Sequence, residues 1–364
     1  MAQPSKPKTV GILTSGGDCP GLNAAIRGIA KTVMGTYGMS VVGILDGFTG
    51  LVENRVIHIT DQELIGLLTL GGTILGTSRN KPNKMPLPDG TVHDMTGAAV
   101  ENYRRLGLDC LACIGGGGTA KNALLLKKAG LNVITLPKTI DNDVAETDTS
   151  FGYDSAMSIA TEALDRLHTT ASSHQRIILV DIMGHNAGWL ALGASLAGGA
   201  DVCLIPEIPF HKDRVVRALE SRRVKGRRFS LVAVAEGALP AEDAKKEEPK
   251  KEKGKPAPRI PPVVNSLVLA DELGKALGME TRVTTLGHVQ RGGTPTPTDR
   301  LLATQLGCAA AQMIWEGTFG VMVAVKGGHL LPVPLEKVAG VKRTIPLDHP
   351  MIRTARLIGL CLGD

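Results

Sequence analysis

Short apolar runs that stop abruptly at clusters of glycine, hydroxyl and carboxylate residues restrict the fold of this chain more than any other feature. Residues 10–13 run into TSGGDCPG, residues 111–114 into GGGGT, and residues 133–136 into PKTIDND. Each run is long enough for a buried strand and too short for a helix. The first two are followed by helical patterns over residues 22–34 and 119–129. Strands alternating with helices in this way build parallel sheets with crossover helices, whose ligand-binding loops lie at the carboxyl ends of the strands.

The same alternation continues. Strands are expected at 41–44, 176–182, 202–205, 230–235, 283–286 and 320–325, and helices at 159–167, 187–197, about 263–277 and 299–315. At 364 residues the chain is too long for one small core and suits two lobes, the second beginning near Phe151. The expected class is α/β, with two three-layer, Rossmann-like lobes of mainly parallel sheet. Residues 239–262, with their Lys, Glu and Pro content, cannot build a core and read as an exposed, mobile charged loop. There is no internal repeat strong enough to argue a duplicated domain.

Composition removes several function classes. Aromatic residues make up only 3%, too few for base-stacking platforms, and no basic patch is interleaved with them, so no nucleic-acid partner is expected. The formal charge of +6 suits an anionic substrate or a solvated surface. The basic run Arg222, Arg223, Lys225, Arg227 and Arg228 reads as a helix end with solvated charges. Cys110 and Cys113 have C-x-x-C spacing, but no second pair completes a zinc site and the surrounding run is apolar, so they read as buried strand cysteines. Such use fits a reducing cytoplasm. The polar N-terminus is no signal peptide and no stretch is apolar enough to span a membrane, so a cytoplasmic protein without membrane contact is expected.

The three strand-end loops carry the chemistry. In the first, Gly16 and Gly17 let backbone N–H groups approach a phosphate, and the following helix adds its positive end; ordinary packing is the alternative. The pattern G-x-x-x-x-G-K-S/T is not matched, so this is no P-loop. In the second, Gly115, Gly116, Gly117 and Gly118 each lose much entropy on folding, which favours close contact with a nucleotide over a flexible packing turn. In the third, one carboxylate of Asp141 and Asp143 can take a proton from an attacking hydroxyl while the other holds Mg2+ through water. The competing reading of that loop is an Asx-type turn capping a helix.

Taken together and in this order, TSGGDCPGLNAAIRG, LGGTILGTSR, PKTIDND, SSHQR, MGHNAG and LGHVQRGG resemble the phosphofructokinases, over residues 10–325. The resemblance implies phosphoryl transfer to the 1-hydroxyl of fructose 6-phosphate, giving fructose 1,6-bisphosphate in glycolysis, with Mg2+ as cofactor and the active site in the cleft between the lobes. It implies Asp141 as proton acceptor, Thr139 in contact with the transferred group, and Asp143 near the metal. Gly17, Arg79, Asn80, Gly116, Gly117, Gly118 and Thr119 would hold the phosphoryl donor. Met183, Gly184, His185 and Glu236 would line the sugar, and His288 and Arg291 would bind its 6-phosphate. Arg176 and Arg282 would reach the sugar phosphate from a neighbouring subunit, which implies a homodimer or homotetramer with shared active sites. Residues 1–150 plus about 290–340 are expected to form the donor-binding lobe, and about 151–289 plus 341–364 the sugar-phosphate lobe.

Departures from the family pattern matter for the donor and the metal. Relatives usually carry an aspartate where this chain has Gly117, and that aspartate helps organise Mg2+. Gly118 accompanies ATP, whereas an aspartate there crowds the α-phosphate site and accompanies pyrophosphate. Lys138 stands where pyrophosphate users carry lysine. Sterics favour ATP, because a side chain at 118 would occlude nucleotide while Lys138 only adds a donor. His185 replaces an arginine of some bacterial relatives, and Arg27 and Lys31 stand where regulated relatives bind effector phosphates or, equally, are exposed helix cations. A dinucleotide enzyme would need G-x-G-x-x-G after a strand, which the Gly16 loop lacks. A non-catalytic nucleotide or sugar-phosphate sensor would keep the glycine loops and need no Asp141.

Overall fold

The computed structural model describes residues 6–244 and 264–364, which divide into two compact units. Residues 1–5 and, within the charged segment 239–262, residues 245–262 lie outside the described residues; Ala241–Ala244 form one helical turn.

The first unit comprises Met1–Ser155 and Arg291–Arg343. Before residue 156 the chain forms β1 (Thr9–Ser15), β2 (Ser40–Ile44), β3 (Val56–Ile59), β4 (Met85–Pro86), β5 (Val92–His93), β6 (Cys110–Gly115) and β7 (Val133–Pro137). The second unit contributes β8 (Ile177–Ile182), β9 (Val202–Leu204), β10 (Ser230–Ala235) and β11 (Thr281–Thr285). On its return to the first unit the chain forms β12 (Val321–Lys326) and β13 (His329–Pro334).

A seven-stranded sheet in the order β13-β12-β7-β6-β1-β2-β3 organises the first unit. Its five central strands are mutually parallel, and β3 and β13 join antiparallel at the two edges. Every residue of β6 and β7 is buried, as continuous apolar strands covered on both faces must be. Cys110 and Cys113 are among them, free and buried, in agreement with their sequence reading. The two edge strands were not expected from the sequence. In β13 Pro332 and Pro334 break the apolar pattern, and proline is tolerated in a sheet chiefly at an edge.

The return of residues 291–343 to the first unit has a packing cause. Helices Leu22–Gly35 and Pro297–Glu316 approach at glycines: a Cβ on Gly28 would lie 2.8 Å from the Thr304 carbonyl, and one on Gly307 2.8 Å from the Ala25 carbonyl. Only hydrogen fits there, so the two backbones pack closely and bury the alanine-rich faces around them.

The second unit, Ala156–Gln290 with Thr344–Asp364, carries a four-stranded parallel sheet in the order β11-β8-β10-β9. Strand β10 is wholly buried, whereas no residue of the edge strand β11 is. The basic run begins at the end of helix Lys212–Val224 as expected, but Arg222 pairs with Asp201 at 2.6 Å and Arg223 with Glu220 at 2.8 Å, so part of it is ion-paired. The helix expected at 159–167 is longer, Tyr153–His174, and helices Thr96–Arg105 and Pro350–Leu357 add to those anticipated. Among the described residues no helix is long and apolar enough to cross a membrane.

Candidate active site

Sheet order brings the three chemistry-bearing loops together. Because β7, β6 and β1 are adjacent and parallel, their carboxyl ends emerge on one edge, with Ser15, Gly115 and Pro137 side by side in register. Hydrogen bonds then fasten one loop to the next. The Thr119 hydroxyl donates to the Ser15 carbonyl at 3.2 Å, the Lys138 N–H donates to the Gly115 carbonyl at 3.1 Å, and the Lys138 ammonium donates to the Gly17 carbonyl. Arg79 and Asn80 follow Ser78, whose carbonyl accepts the Gly16 N–H at 2.9 Å. The segment bearing them therefore borders the first loop.

The four glycines of the second loop have two different explanations. A Cβ on Gly115 would lie 2.0 Å from the Thr119 hydroxyl, and one on Gly116 would lie 3.3 Å from the Lys138 carbonyl, so packing constrains both. Gly117 and Gly118 are different. They occupy the first turn of helix Gly117–Lys128, their φ values lie outside the left-handed region, and a Cβ on either meets no protein atom within 4 Å. Glycine in a helix costs about 1 kcal/mol relative to alanine, and the protein itself gives no reason to bear that cost here. No side chain caps this helix, so its first N–H groups take no side-chain acceptor at the positive end of the helix dipole. Such a helix start suits an anion, and the space beside it would admit a bulky group.

The PKTIDND loop is not a helix cap: residues 138–143 lie outside any helix. The Asp141 N–H donates to the Thr139 hydroxyl at 3.0 Å, and Asn142 adopts φ 52°, a left-handed conformation that asparagine tolerates. The Asn142 side-chain oxygen accepts the Ser150 N–H at 3.1 Å, and the Ser150 hydroxyl donates to the Thr139 carbonyl at 2.9 Å. This holds the turn while Asp141 and Asp143 on either side keep partial exposure. Lys138 is buried, and burial lowers its affinity for a proton; Cys19, Asp141 and Asp18 act in the opposite sense and Arg291 reinforces the loss. Arg291 itself stands against the first loop, its guanidinium 3.3 Å from where a Cβ of Gly17 would be. The first unit thus gathers Gly17, Gly116, Gly117, Gly118, Thr119, Lys138, Thr139, Asp141, Asp143 and Arg291.

The second unit gathers the MGHNAG residues at the carboxyl end of β8 and the first five residues of LGHVQRGG, Leu286 to Gln290, at the carboxyl end of β11. Met183 donates its N–H to the buried Gln290 side chain at 3.3 Å, and His185, at φ 51°, donates its N–H to the Glu236 carboxylate at 3.1 Å. A non-glycine residue held at positive φ is a strained position of the kind that clusters at binding sites. The Glu207 carboxylate accepts the N–H groups of Gly188 and Ile345, each at 3.0 Å, and fixes the far end of the MGHNAG turn; burial nonetheless raises its pKa. Met183, Glu236 and His288 line one cavity of about 460 Å3.

Arg176 and Arg282 stand apart from that cavity. Both belong to the amino-terminal ends of β8 and β11 and both pair with Glu280, Arg176 at 2.5 Å. A six-residue strand spans roughly 20 Å, so within one chain these arginines do not join Met183 and His288. Residues the sequence reading missed include Arg343, Gln290 and Asp181. Each acts through a contact with a distant segment, and only Gln290 carries a local signal, its place inside LGHVQRGG.

The fold agrees with what the chain resembles among known proteins. The phosphofructokinase family pattern matches residues 9–314. The ATP-dependent 6-phosphofructokinase of Propionibacterium freudenreichii subsp. shermanii is 54% identical over 370 residues, covering 98% of this chain and 99% of the relative. The T-state crystal structure of Pichia pastoris phosphofructokinase superposes with a TM-score of 0.80 at 32% identity, over 93% of this chain, which spans 36% of the longer yeast chain. The pyrophosphate-dependent phosphofructokinase of Marinobacter aquaeolei shares the fold, with a TM-score of 0.79 at 20% identity over 98% of this chain and 88% of its own. By sequence and by architecture, this chain belongs to the phosphofructokinase family.

Proposed function

We propose that this chain transfers the terminal phosphoryl group of ATP to the 1-hydroxyl of fructose 6-phosphate. The observation that carries the reading is the open, uncapped helix start at Gly117 and Gly118, set beside the Asp141 loop on the same edge of one sheet. The Propionibacterium relative, named for the ATP-dependent reaction, supports the same donor.

In this reading the N–H groups of Gly116, Gly117, Gly118 and Thr119 receive donor phosphates, and Gly17, Arg79 and Asn80 border them. Asp141 takes the proton of the 1-hydroxyl as its oxygen forms the new P–O bond, and the bond from the transferred phosphorus to the ADP oxygen breaks. Thr139, whose hydroxyl already accepts the Asp141 N–H, contacts the moving group. Such a transfer depends mainly on positioning and on spreading negative charge over fixed donors. Met183, Gly184, His185 and Glu236 orient the sugar, and His288 and Arg291 bind its phosphate.

Mg2+ fits the residues present. Among the described residues no preformed group of three or more His, Cys, Asp or Glu side chains makes a metal cage, and Mg2+ characteristically binds through one or two carboxylates, water and substrate phosphates instead. Asp143 would hold it, and the ion would supply neutralising charge on the donor phosphates. Lys138 serves the protein itself through Gly17, so its presence alone does not argue for pyrophosphate. We further propose a homodimer or homotetramer in which Arg176 and Arg282 complete a neighbour's site, since their place at the opposite strand ends gives them no role in their own chain's cavity.

The test is turnover with fructose 6-phosphate and Mg2+, run in parallel with ATP and pyrophosphate, for wild type, Asp141→Ala and Asp141→Asn. Loss of a general base costs about 100- to 10,000-fold in kcat, with binding of both substrates retained. Wild-type protein that binds ATP without turnover would leave only the sensor reading. Unchanged kcat in Asp141→Ala would remove Asp141 from the chemistry.

A further inference from the structure

The cavity of the second unit contains a carboxylate that the reaction does not use. Asp181 lies on β8, two residues before Met183, and lines the cavity with Glu236 and His288. A pocket meant for a sugar phosphate gains nothing electrostatically from an extra negative charge, so its reason must be geometric. The carboxylate receives two hydroxyl donors from two other elements: Thr285 at the end of β11, at 2.7 Å, and Ser266 at the start of helix Ser266–Leu277. Its own carbonyl accepts the Leu286 N–H at 3.2 Å.

What these bonds hold has a backbone ladder to β8 and the packing of Val283 behind it, but little other apolar support. Strand β11 pairs on one side only, none of its five residues is buried, and the turn that follows it, Gly287–Arg291, buries only Gln290. Apolar packing therefore does little to locate His288, which follows Thr285 by three residues. Beyond the end of the β11–β8 ladder, side-chain ties do the locating: Asp181 to Thr285, and Gln290 to both the Met183 N–H and the Gly287 carbonyl, the latter at 3.1 Å. A carboxylate suits this place because two acceptor oxygens serve two hydroxyls at once, and hydrogen bonds to a charged acceptor are the stronger kind.

We propose that Asp181 is a positioning residue for sugar-phosphate affinity, holding the His288 turn and the Ser266 helix start in register with the Met183 loop. This rests on reading the cavity as the sugar-phosphate pocket, and the experiment separates the two. Calorimetric binding of fructose 6-phosphate to wild type comes first; no binding overturns both. Steady-state kinetics of Asp181→Ala, Asp181→Asn, Thr285→Val and the Asp181→Ala/Thr285→Val double variant follow. Removing a positioning carboxylate should raise KM for fructose 6-phosphate about tenfold, with kcat and KM for ATP within about twofold of wild type. Asp181→Asn, which keeps one acceptor, should fall between, and the double variant should be no worse than Asp181→Ala. An unchanged KM in a folded Asp181→Ala protein, a loss confined to kcat, or an equal rise in KM for both substrates would overturn the proposal while leaving the kinase reading standing. Should Asp181→Ala fail to fold, Thr285→Val alone decides, since it keeps the carboxylate: an unchanged KM for the sugar phosphate overturns the proposal.

Discussion

The guanidinium of Arg343 donates to the main-chain carbonyl of Asn142 at 3.1 Å, across 201 positions of sequence. The Arg343 N–H also donates to the Asp143 carbonyl at 2.9 Å. The left-handed turn that separates Asp141 from Asp143 is thus held from outside by one residue of the returning segment. Burial lowers the proton affinity of this guanidinium while Asp148 and Tyr153 favour its charge.

Arg343→Ala should reduce kcat by about 100-fold, the scale of a misplacement of roughly 1 Å at a reacting group, with KM for either substrate little changed. Arg343→Lys should recover part of the loss. Steady-state kinetics alongside thermal melting decide it, and wild-type kcat in a folded Arg343→Ala protein would show that the turn holds its shape unaided.

Gly118→Asp tests the donor pocket directly. No protein atom lies within 4 Å of the added Cβ, and an aspartate near a helix start is favourable, so folding should be unharmed. The side chain instead enters the space assigned to nucleotide. We expect kcat/KM for ATP to fall about 100-fold, worth about 2.7 kcal/mol, with pyrophosphate use far less affected. Equal ATP activity in variant and wild type would move the nucleotide elsewhere.

Gly117→Asp introduces the carboxylate that the family pattern leads one to expect at this position. The site is open and helical, so the change should stabilise the fold by about 1 kcal/mol through loss of the glycine penalty and interaction with the helix dipole. Denaturant titration measures that gain. The Mg2+ concentration giving half-maximal rate should also drop, and no change in it would mean that Asp143 and the substrate phosphates already suffice.

Cysteine reactivity should follow burial. The Cys19 and Cys203 thiols are each pushed up to about 12 by burial, and burial raises those of Cys110 and Cys113 as well. A thiol with a raised pKa stays neutral and unreactive until pH nears that value. Alkylation of the native protein between about pH 7 and 9 should therefore label the exposed Cys308 and spare Cys19 throughout. Mass spectrometry of the labelled sites checks it, and rapid labelling of Cys19 would mean that the first loop opens.

Much of this site was readable along the chain. An apolar run ending in glycines or carboxylates is a local statement about a buried strand and the backbone that follows it, so the loops at Gly16, Gly116 and Asp141 could be located without coordinates. The same held for buried Cys110 and Cys113. Strand β13 was not readable, because its prolines and mostly exposed side chains satisfy the demands of a sheet edge, and an edge becomes one only when the neighbouring strands are known.

Local pattern determined which elements form and which residue types stand at their ends. Tertiary structure decided which of those ends meet: strand order set Ser15, Gly115 and Pro137 side by side, distinguished the packed Gly115 from the open Gly118, brought Arg343 to Asn142, and put Arg176 at the strand end away from Met183. The physical reason is that periodicity and backbone preference act over a few residues, whereas adjacency between distant segments follows from how whole strands and helices bury their apolar faces against one another.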